Sequence, residues 1–281
     1  MRAGGFTQIC AMANSGRPID TRPVVEYVRR PWIHPVGAVT RGLGCRELTD
    51  MAALDCVAYS DDGMSIADPT VMRRALEYSR MLDRPIIDHC DDEEAMLARD
   101  LDLARQTGGR LHVAHVSTAR SVDLVRRAKA EGIRVTAEVT PHHLFFTSDD
   151  ARDFDPRFKM NPPLRTAADV EALKAGLLDG TLDVIATDHA PHAPEEKDVE
   201  WEASPPGVVG LETAVAVFGL GLPQDVVVRA LTTSPFGLRP RGHTIVDPKA
   251  TWTCDPAAFK SKGRATPFAG RTITGRVVGV V

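Results

Sequence analysis

Apolar runs that break abruptly into carboxylates and imidazoles recur along this chain and constrain its fold more than any other feature. The clearest is Leu182-Asp183-Val184-Ile185-Ala186-Thr187-Asp188-His189-Ala190-Pro191-His192. An uninterrupted apolar run of this kind fits a parallel strand covered on both faces, and Pro191 stops the strand from continuing, which places Asp188 at its carboxyl end. Alone, the segment also fits an ordinary strand-to-loop transition with a capping Asp and two solvated histidines. Its neighbours argue otherwise. Ile86-Ile87-Asp88-His89 and Leu111-His112-Val113-Ala114-His115 end apolar runs in histidine, and Val57-Ala58-Tyr59-Ser60-Asp61-Asp62 ends one in paired carboxylates. Imidazole nitrogen and carboxylate oxygen suit a borderline divalent ion such as zinc, and a catalytic metal site needs few protein ligands plus one open position for water.

Between the strand ends the sequence reads as helix. Asp68-Pro69 offers a cap and a first-turn proline ahead of Met72, Ala75, Leu76 and Tyr78. Leu97, Leu101 and Ala104 form a face that stops at Gly108-Gly109, and Ser121 to Ala130 and Thr166 to Leu178 close at Gly132 and Gly180. Candidate strands are Phe6 to Met12, His34 to Val39, Cys56 to Ser60, Pro85 to His89, Leu111 to His115, Val135 to Val139 and Asp183 to Thr187, with a helical stretch at Gly210 to Phe218 after the last. Such alternation implies a parallel sheet, and reactive groups at many strand ends favour a TIM-type (β/α) barrel, whose carboxyl ends all open on one face. A doubly wound sheet uses mainly its switch point. Seven candidates are one short of a closed barrel, and the deficit lies before Phe6. The expectation is a barrel missing its first strand, with the chain incomplete, a partner covering the gap, or a strand uncounted.

Length and composition set further bounds. The chain has 281 residues, 43% of them apolar, enough for one main core but not for two large domains. A formal charge of -4 and a pI near 6.1 give no electrostatic case for nucleic acid. The five cysteines, Cys10, Cys45, Cys56, Cys90 and Cys254, lack paired spacing and read as reduced thiols; strand alternation turns Cys90 to the face opposite His89. No run approaches the roughly 18 apolar residues that cross a bilayer and no leader pattern is evident, so no membrane partner and a cytoplasmic location are expected. Ala193 to Gly207 is a polar, proline-bearing loop, a lid or a surface connection. From His243 on, short β-branched runs between Pro and Gly read as a small β subdomain, giving expected units of 1–240 and 241–281, with Ser261 and Thr266-Pro267-Phe268 in packing and turn roles.

Taken in order, Ser60-Asp61-Asp62-Gly63, His115-Val116-Ser117-Thr118, Thr140-Pro141-His142-His143, Met160-Asn161-Pro162-Pro163-Leu164-Arg165, Asp188-His189-Ala190-Pro191-His192 and Gly210-Leu211-Glu212-Thr213 resemble class I, bacterial-type dihydroorotase of the amidohydrolase superfamily. The resemblance runs from about Gly5 to the C-terminus, including Trp252-Thr253 and Phe259-Lys260-Ser261-Lys262. It implies that Asp62 bridges two zinc ions, that His89 and His115 ligate the second, and that Asp188 is ligand and general acid/base. It further implies that Asn14, Asn161, His192 and the Pro206-Gly207 backbone hold a small-molecule substrate. The implied reaction is the reversible conversion of N-carbamoyl-L-aspartate to L-dihydroorotate and water in pyrimidine synthesis. Zinc would activate water and polarise the amide carbonyl while an aspartate moves the proton.

The departures carry equal weight. The family's His-x-His-x-Arg motif, which supplies the first zinc's histidines and an arginine for the substrate carboxylate, is absent, and neither His34 nor His243 stands in its spacing. The passages from Asp92 to Glu93 and from Pro235 to His243 are shortened, and Ala13 replaces a usual proline. The resemblance therefore implies at most one well-held zinc and weak or absent activity of this chain alone. Two other readings remain open. One is a non-catalytic structural partner of aspartate transcarbamoylase, and a homo-oligomer would also cover an open barrel edge. The other is an allantoinase- or hydantoinase-like amidohydrolase, although those relatives usually bridge their metals with a modified lysine where this chain has Asp62.

Overall fold

The computed structural model describes Met1–Val281. All seven expected strands are present: β1 (Ile9–Ala11), β2 (Ile33–Pro35), β3 (Tyr59–Ser60), β4 (Ile86–Asp88), β5 (Leu111–Val113), β6 (Val135–Val139) and β7 (Val184–Ile185). Every one except β6 is shorter than the run that announced it. Beyond β5 and β7 the backbone leaves the extended region at His115 (φ 33°) and Asp188 (φ 43°), so neither residue continues its strand. β1 pairs with β2, an isolated parallel bridge Gly37–Tyr59 leads on to β3, and β3 to β7 pair successively, all parallel and in chain order. No pairing joins β7 to β1, so the barrel-like sheet is not closed.

Helices follow the strands: α1 (Arg22–Val28), α2 (Met51–Leu54), α3 (Pro69–Leu82), α4 (Glu93–Thr107), α5 (Ala119–Ala130), α6 (Pro141–Phe145), α7 (Ala167–Leu178), α8 (Pro194–Lys197) and α9 (Gln224–Thr232). Their ends carry the expected chemistry. Asp68 accepts from the Thr70 amide at 2.7 Å ahead of Pro69, Thr118 caps α5 at the Ser121 amide, and Thr166 and Asp169 form a reciprocal capping box on α7. The apolar faces of α3 (Met72, Ala75, Leu76) and α4 (Leu97, Leu101, Ala104) lie in one core with Ile86 and Leu111 of the sheet. Full burial of each such Leu or Ile contributes about 1.5–3 kcal/mol. Contact is close enough that a Cβ on Gly109 would stand 2.7 Å from the Leu76 carbonyl oxygen.

Inside the sheet, Val36, Ala58, Ile87 and Ala114 form a small apolar cluster with Cys10, Met12 and Phe236 against it. His112 adds a polar element, reaching Thr136 Oγ1 at 2.8 Å and Glu138 at 3.0 Å. Every residue of β4 and β5 is buried, whereas β1 is half-buried throughout and β6 alternates, with Thr136 and Glu138 half-buried.

The last strands, β8 (Thr244–Thr253) and β9 (Thr272–Val280), pair antiparallel. The helical stretch expected at Gly210 to Phe218 appears as a 3-10 turn, Ala214–Leu220, that packs against β9. A second core joins Phe146, Met160, Val208 and Ala216 to Cys254, Phe259, Phe268 and Ile273. Glu212 fastens the same segment, accepting from the amides of Lys260 and Ser261 at 3.0 and 2.8 Å and from Ser261 Oγ at 2.7 Å, which gives Ser261 a structural role. No helix is long and apolar enough to cross a membrane.

Candidate active site

Parallel strands deliver their carboxyl ends to one face, and the chemistry-bearing residues follow from that direction. The paired carboxylates after β3 part company at once. Asp61 is buried and accepts from the Thr40 amide at 2.9 Å and from the Thr40 hydroxyl, bracing the chain between β2 and β3. Asp62 turns the other way, towards the histidines, and Asn14 holds it by donating to its carbonyl at 2.9 Å and its Oδ2 at 3.1 Å.

His89, following β4, and His115, following β5, face each other with His89 Nδ1 and His115 Nε2 2.8 Å apart. Asp62 Oδ1 lies 4.0 Å from each of those nitrogens. The opposite edge of His89 is engaged: Nε2 is 3.3 Å from Asp91 Oδ1 and 3.0 Å from Asn161 Nδ2. Asp91 and Asn161 engage the outer nitrogen and hold the ring so that the inner nitrogen faces His115 and Asp62. Burial, then the neighbouring His115, lowers the His89 pKa, which favours the neutral ligand form. Two imidazoles and a carboxylate oxygen converging in this way fit a divalent metal. A cavity of about 360 Å3 lies on the side of Asp91 and Asn161, bounded also by Cys90, Glu93, Pro162 and Arg165, and none of the three residues lines it.

Asp188 stands apart from that trio. Desolvation chiefly pushes its carboxyl up to about 6; His115 opposes the rise, and the smaller negative fields of Asp62 and Glu138 add to it. A proton-transfer group is most effective near that range at neutral pH. Its left-handed backbone, like that of His115, is unfavourable for a residue with a Cβ and is held by the surrounding structure. His189, adjacent to Asp188 in sequence, turns away, and its Nδ1 accepts from the Gly210 and Leu211 amides at 3.2 and 3.4 Å. Sequence reasoning missed the imidazole that does approach Asp188. His142, in the first turn of α6, places Nε2 4.0 Å from Asp188 Oδ2. The signal was the Thr140-Pro141 cap directly after β6, which ties the histidine pair to a strand end.

His192, Pro206 and Gly207 form a further group. His192 Nε2 contacts the Pro206 carbonyl at 2.9 Å, and a Cβ on Gly207 (φ 126°) would come within 2.9 Å of that nitrogen, so only glycine fits. The intervening loop is tied down: Lys197 Nζ donates to the Pro205 carbonyl at 2.8 Å and Lys159 Nζ to the Trp201 carbonyl at 2.5 Å. Cys90 points away from the site, its thiol 3.2 Å from Asp88 Oδ2. His34 contacts Gln8 at 2.8 Å, away from the cluster.

Carboxylates and imidazoles gathered at the carboxyl ends of a parallel α/β barrel-type sheet define a candidate metal-dependent site. The fold agrees with L-hydantoinase from Arthrobacter aurescens (TM-score 0.87, 22% identity, 99% of this chain and 77% of that one). It also agrees with dihydroorotase from Saccharomyces cerevisiae in complex with 5-fluoroorotic acid (TM-score 0.80, 17% identity, 99% and 91%). No protein-family model matches the chain. Among curated proteins, dihydroorotase from Pelotomaculum thermopropionicum is 43% identical over 327 residues, covering 97% of this chain and 76% of the relative. That from Anaeromyxobacter dehalogenans is 44% identical over 330, covering 98% and 76%. The chain belongs to the dihydroorotase family. Both matched stretches exceed the 281 residues of this chain, so these relatives carry segments within the match that it lacks.

Proposed function

We propose that this site catalyses the reversible hydrolysis of L-dihydroorotate to N-carbamoyl-L-aspartate with zinc as its metal. The observation that carries the reading is the convergence of Asp62, His89 and His115, with the Asp188 carboxyl, pushed up to about 6, standing apart from them but within the electrostatic reach of His115 and Asp62. Zinc would be held by those three residues, with Asp188 as a further carboxylate ligand, and when bound it polarises the ring amide carbonyl and acidifies water. Asp188 takes the proton from the attacking water and delivers it to the ring nitrogen as the C–N bond breaks; in the closing direction it returns it. Asn14, Asn161 and His192, with the backbone at Pro206 and Gly207, orient the substrate. Two of these already hold the metal-ligating groups, Asn14 through Asp62 and Asn161 through His89.

Turnover by this chain alone is weak or absent on this reading, because no His-x-His-x-Arg sequence supplies further imidazoles or the arginine for the substrate carboxylate. The organisation is a barrel unit over 1–240 and a β unit over 241–281. The unpaired edges of β1 and β7 favour a second role as a structural partner, in a homo-oligomer or on aspartate transcarbamoylase. The test is zinc per protomer after purification without chelators, measured with dihydroorotate hydrolysis. One zinc with faint turnover supports the reading; no zinc overturns it, and zinc without turnover moves the assignment to the partner role.

A further inference from the structure

Behind the face that carries His89, the same strand end takes part in a second cluster. Side-chain alternation turns Asp88 and Cys90 away from His89, towards the covering helix α4, where Asp100 meets them. All three are buried, and one donor atom from each lies within 4.8 Å of the others.

The fold leaves this cluster without a full set of partners. Arg99 places both Nε and Nη2 against one Asp100 oxygen, Oδ1, at 2.8 and 2.7 Å, and its Nη1 on the Ala67 carbonyl at 2.8 Å. Asp100 Oδ2 is shut off from solvent and receives no hydrogen bond. The group beside it, the Asp88 carboxyl, is also an acceptor when ionised. Two such carboxyls meet around a shared proton or around a cation, and here the Cys90 sulfur closes a third side.

Charge and dimensions favour the cation. A thiolate and two carboxylates carry three negative charges, which a divalent ion and the adjoining Arg99 guanidinium cancel. A zinc-like ion takes sulfur at about 2.3 Å and carboxylate oxygen at about 2.0–2.2 Å, which sets tetrahedral donors roughly 3.4–3.6 Å apart. Cys90 Sγ already stands 3.2 Å from Asp88 Oδ2. A carboxylate binding through both oxygens, or water from the cavity that Cys90 also lines, fills the fourth position. Burial, then the Asp88 and Asp100 carboxylates, keeps the thiol protonated in the metal-free chain, and a coordinated ion displaces that proton.

We propose that Asp88, Cys90 and Asp100 bind a thiophilic divalent ion between β4 and α4, separate from any ion held by Asp62, His89 and His115. With three protein donors and a thiol proton to displace, this is the weaker position: it fills in the presence of free ion and empties on gel filtration.

The experiment dialyses the metal-free full chain to equilibrium against excess cobalt(II) and compares the wild type with Cys90→Ser, Asp100→Asn and His89→Ala by bound cobalt and near-ultraviolet absorption. The wild type should show a thiolate-to-cobalt charge-transfer band. Cys90→Ser should lose the band and one ion, and His89→Ala should keep the band. Asp100→Asn should raise the half-saturating cobalt concentration about tenfold or more. Absence of the band in the wild type overturns the proposal, as does its survival in Cys90→Ser, which would trace it to another thiol. Loss of the band in a folded His89→Ala would place Cys90 on the other ion, and unchanged half-saturation in Asp100→Asn would remove the helix carboxylate; either result refutes the site. If Asp100→Asn fails to fold, Cys90→Ser, which keeps the size and polarity of the side chain, decides the matter with His89→Ala.

Discussion

The middle of the sheet and its two flanks are built from similar sequence to different standards of burial. β4 and β5 are buried at every position and carry His89 and His115 just beyond their ends. β1 and β7, whose outer edges have no strand partner, are half-buried at Ile9, Cys10, Ala11 and Val184. Metal-capable residues thus concentrate where packing is complete on both sides. Asp188 lies beyond the flanking β7, and 26% of its side-chain surface is exposed. Ligand geometry tolerates little displacement, so a rigid centre can hold an ion even where a flank is loose.

The largest effects should separate the roles of centre and flank. His89→Ala removes a ligand from the packed centre and should abolish zinc retention through gel filtration, as read by elemental analysis; retained zinc would show that the site lies elsewhere. Asp188→Asn, on the flank, should keep that zinc in part and remove whatever turnover the wild type has. Unchanged hydrolysis would refute its role in proton transfer.

Packing itself offers the next test. Leu111 of β5 is 1% exposed within the main core, and Leu111→Ala should cost about 2–5 kcal/mol of stability. Ile9 of β1 is only half-buried, so Ile9→Ala should cost about 1 kcal/mol or less. Urea midpoints of the two variants measure the contrast. Equal losses would mean that the β1 edge is covered in solution, as by a second copy, and the Ile9 loss should then depend on protein concentration.

What was legible in the sequence follows the same division. Apolar runs ending in Asp62, His89 and His115 were enough to predict a common face, because parallel strands leave no other place for their carboxyl ends. Contacts made by chain that has already left a strand were not legible. His189 follows Asp188 directly yet serves the Gly210 and Leu211 amides, while His142, 46 positions before Asp188, comes within 4.0 Å of it. Strand length was overread for a related reason: apolarity continues through residues such as Ala114 and Ala186, but the left-handed turns at His115 and Asp188 are tertiary features with no local marker, since neither is glycine.

A further prediction isolates the flank electrostatically. Asp188 has a folded-state pKa of about 6 against an ordinary 3.8, so between those values the folded chain keeps a proton that the unfolded chain has released. Stability therefore falls as pH rises through that window. Above about 6 the carboxylate is charged in both states and the full penalty applies; below 3.8 it is neutral in both and the penalty vanishes. Two pKa units correspond to about 3 kcal/mol at most, reduced by the solvent that reaches the side chain. In the metal-free protein, Asp188→Asn should consequently be more stable than the wild type at pH 8, with the advantage fading towards pH 4. Urea titrations at the two pH values read the difference. An advantage independent of pH would mean that the substitution acts through packing or the strained backbone, and that the open flank already hydrates Asp188 well enough to ionise it at its ordinary pKa.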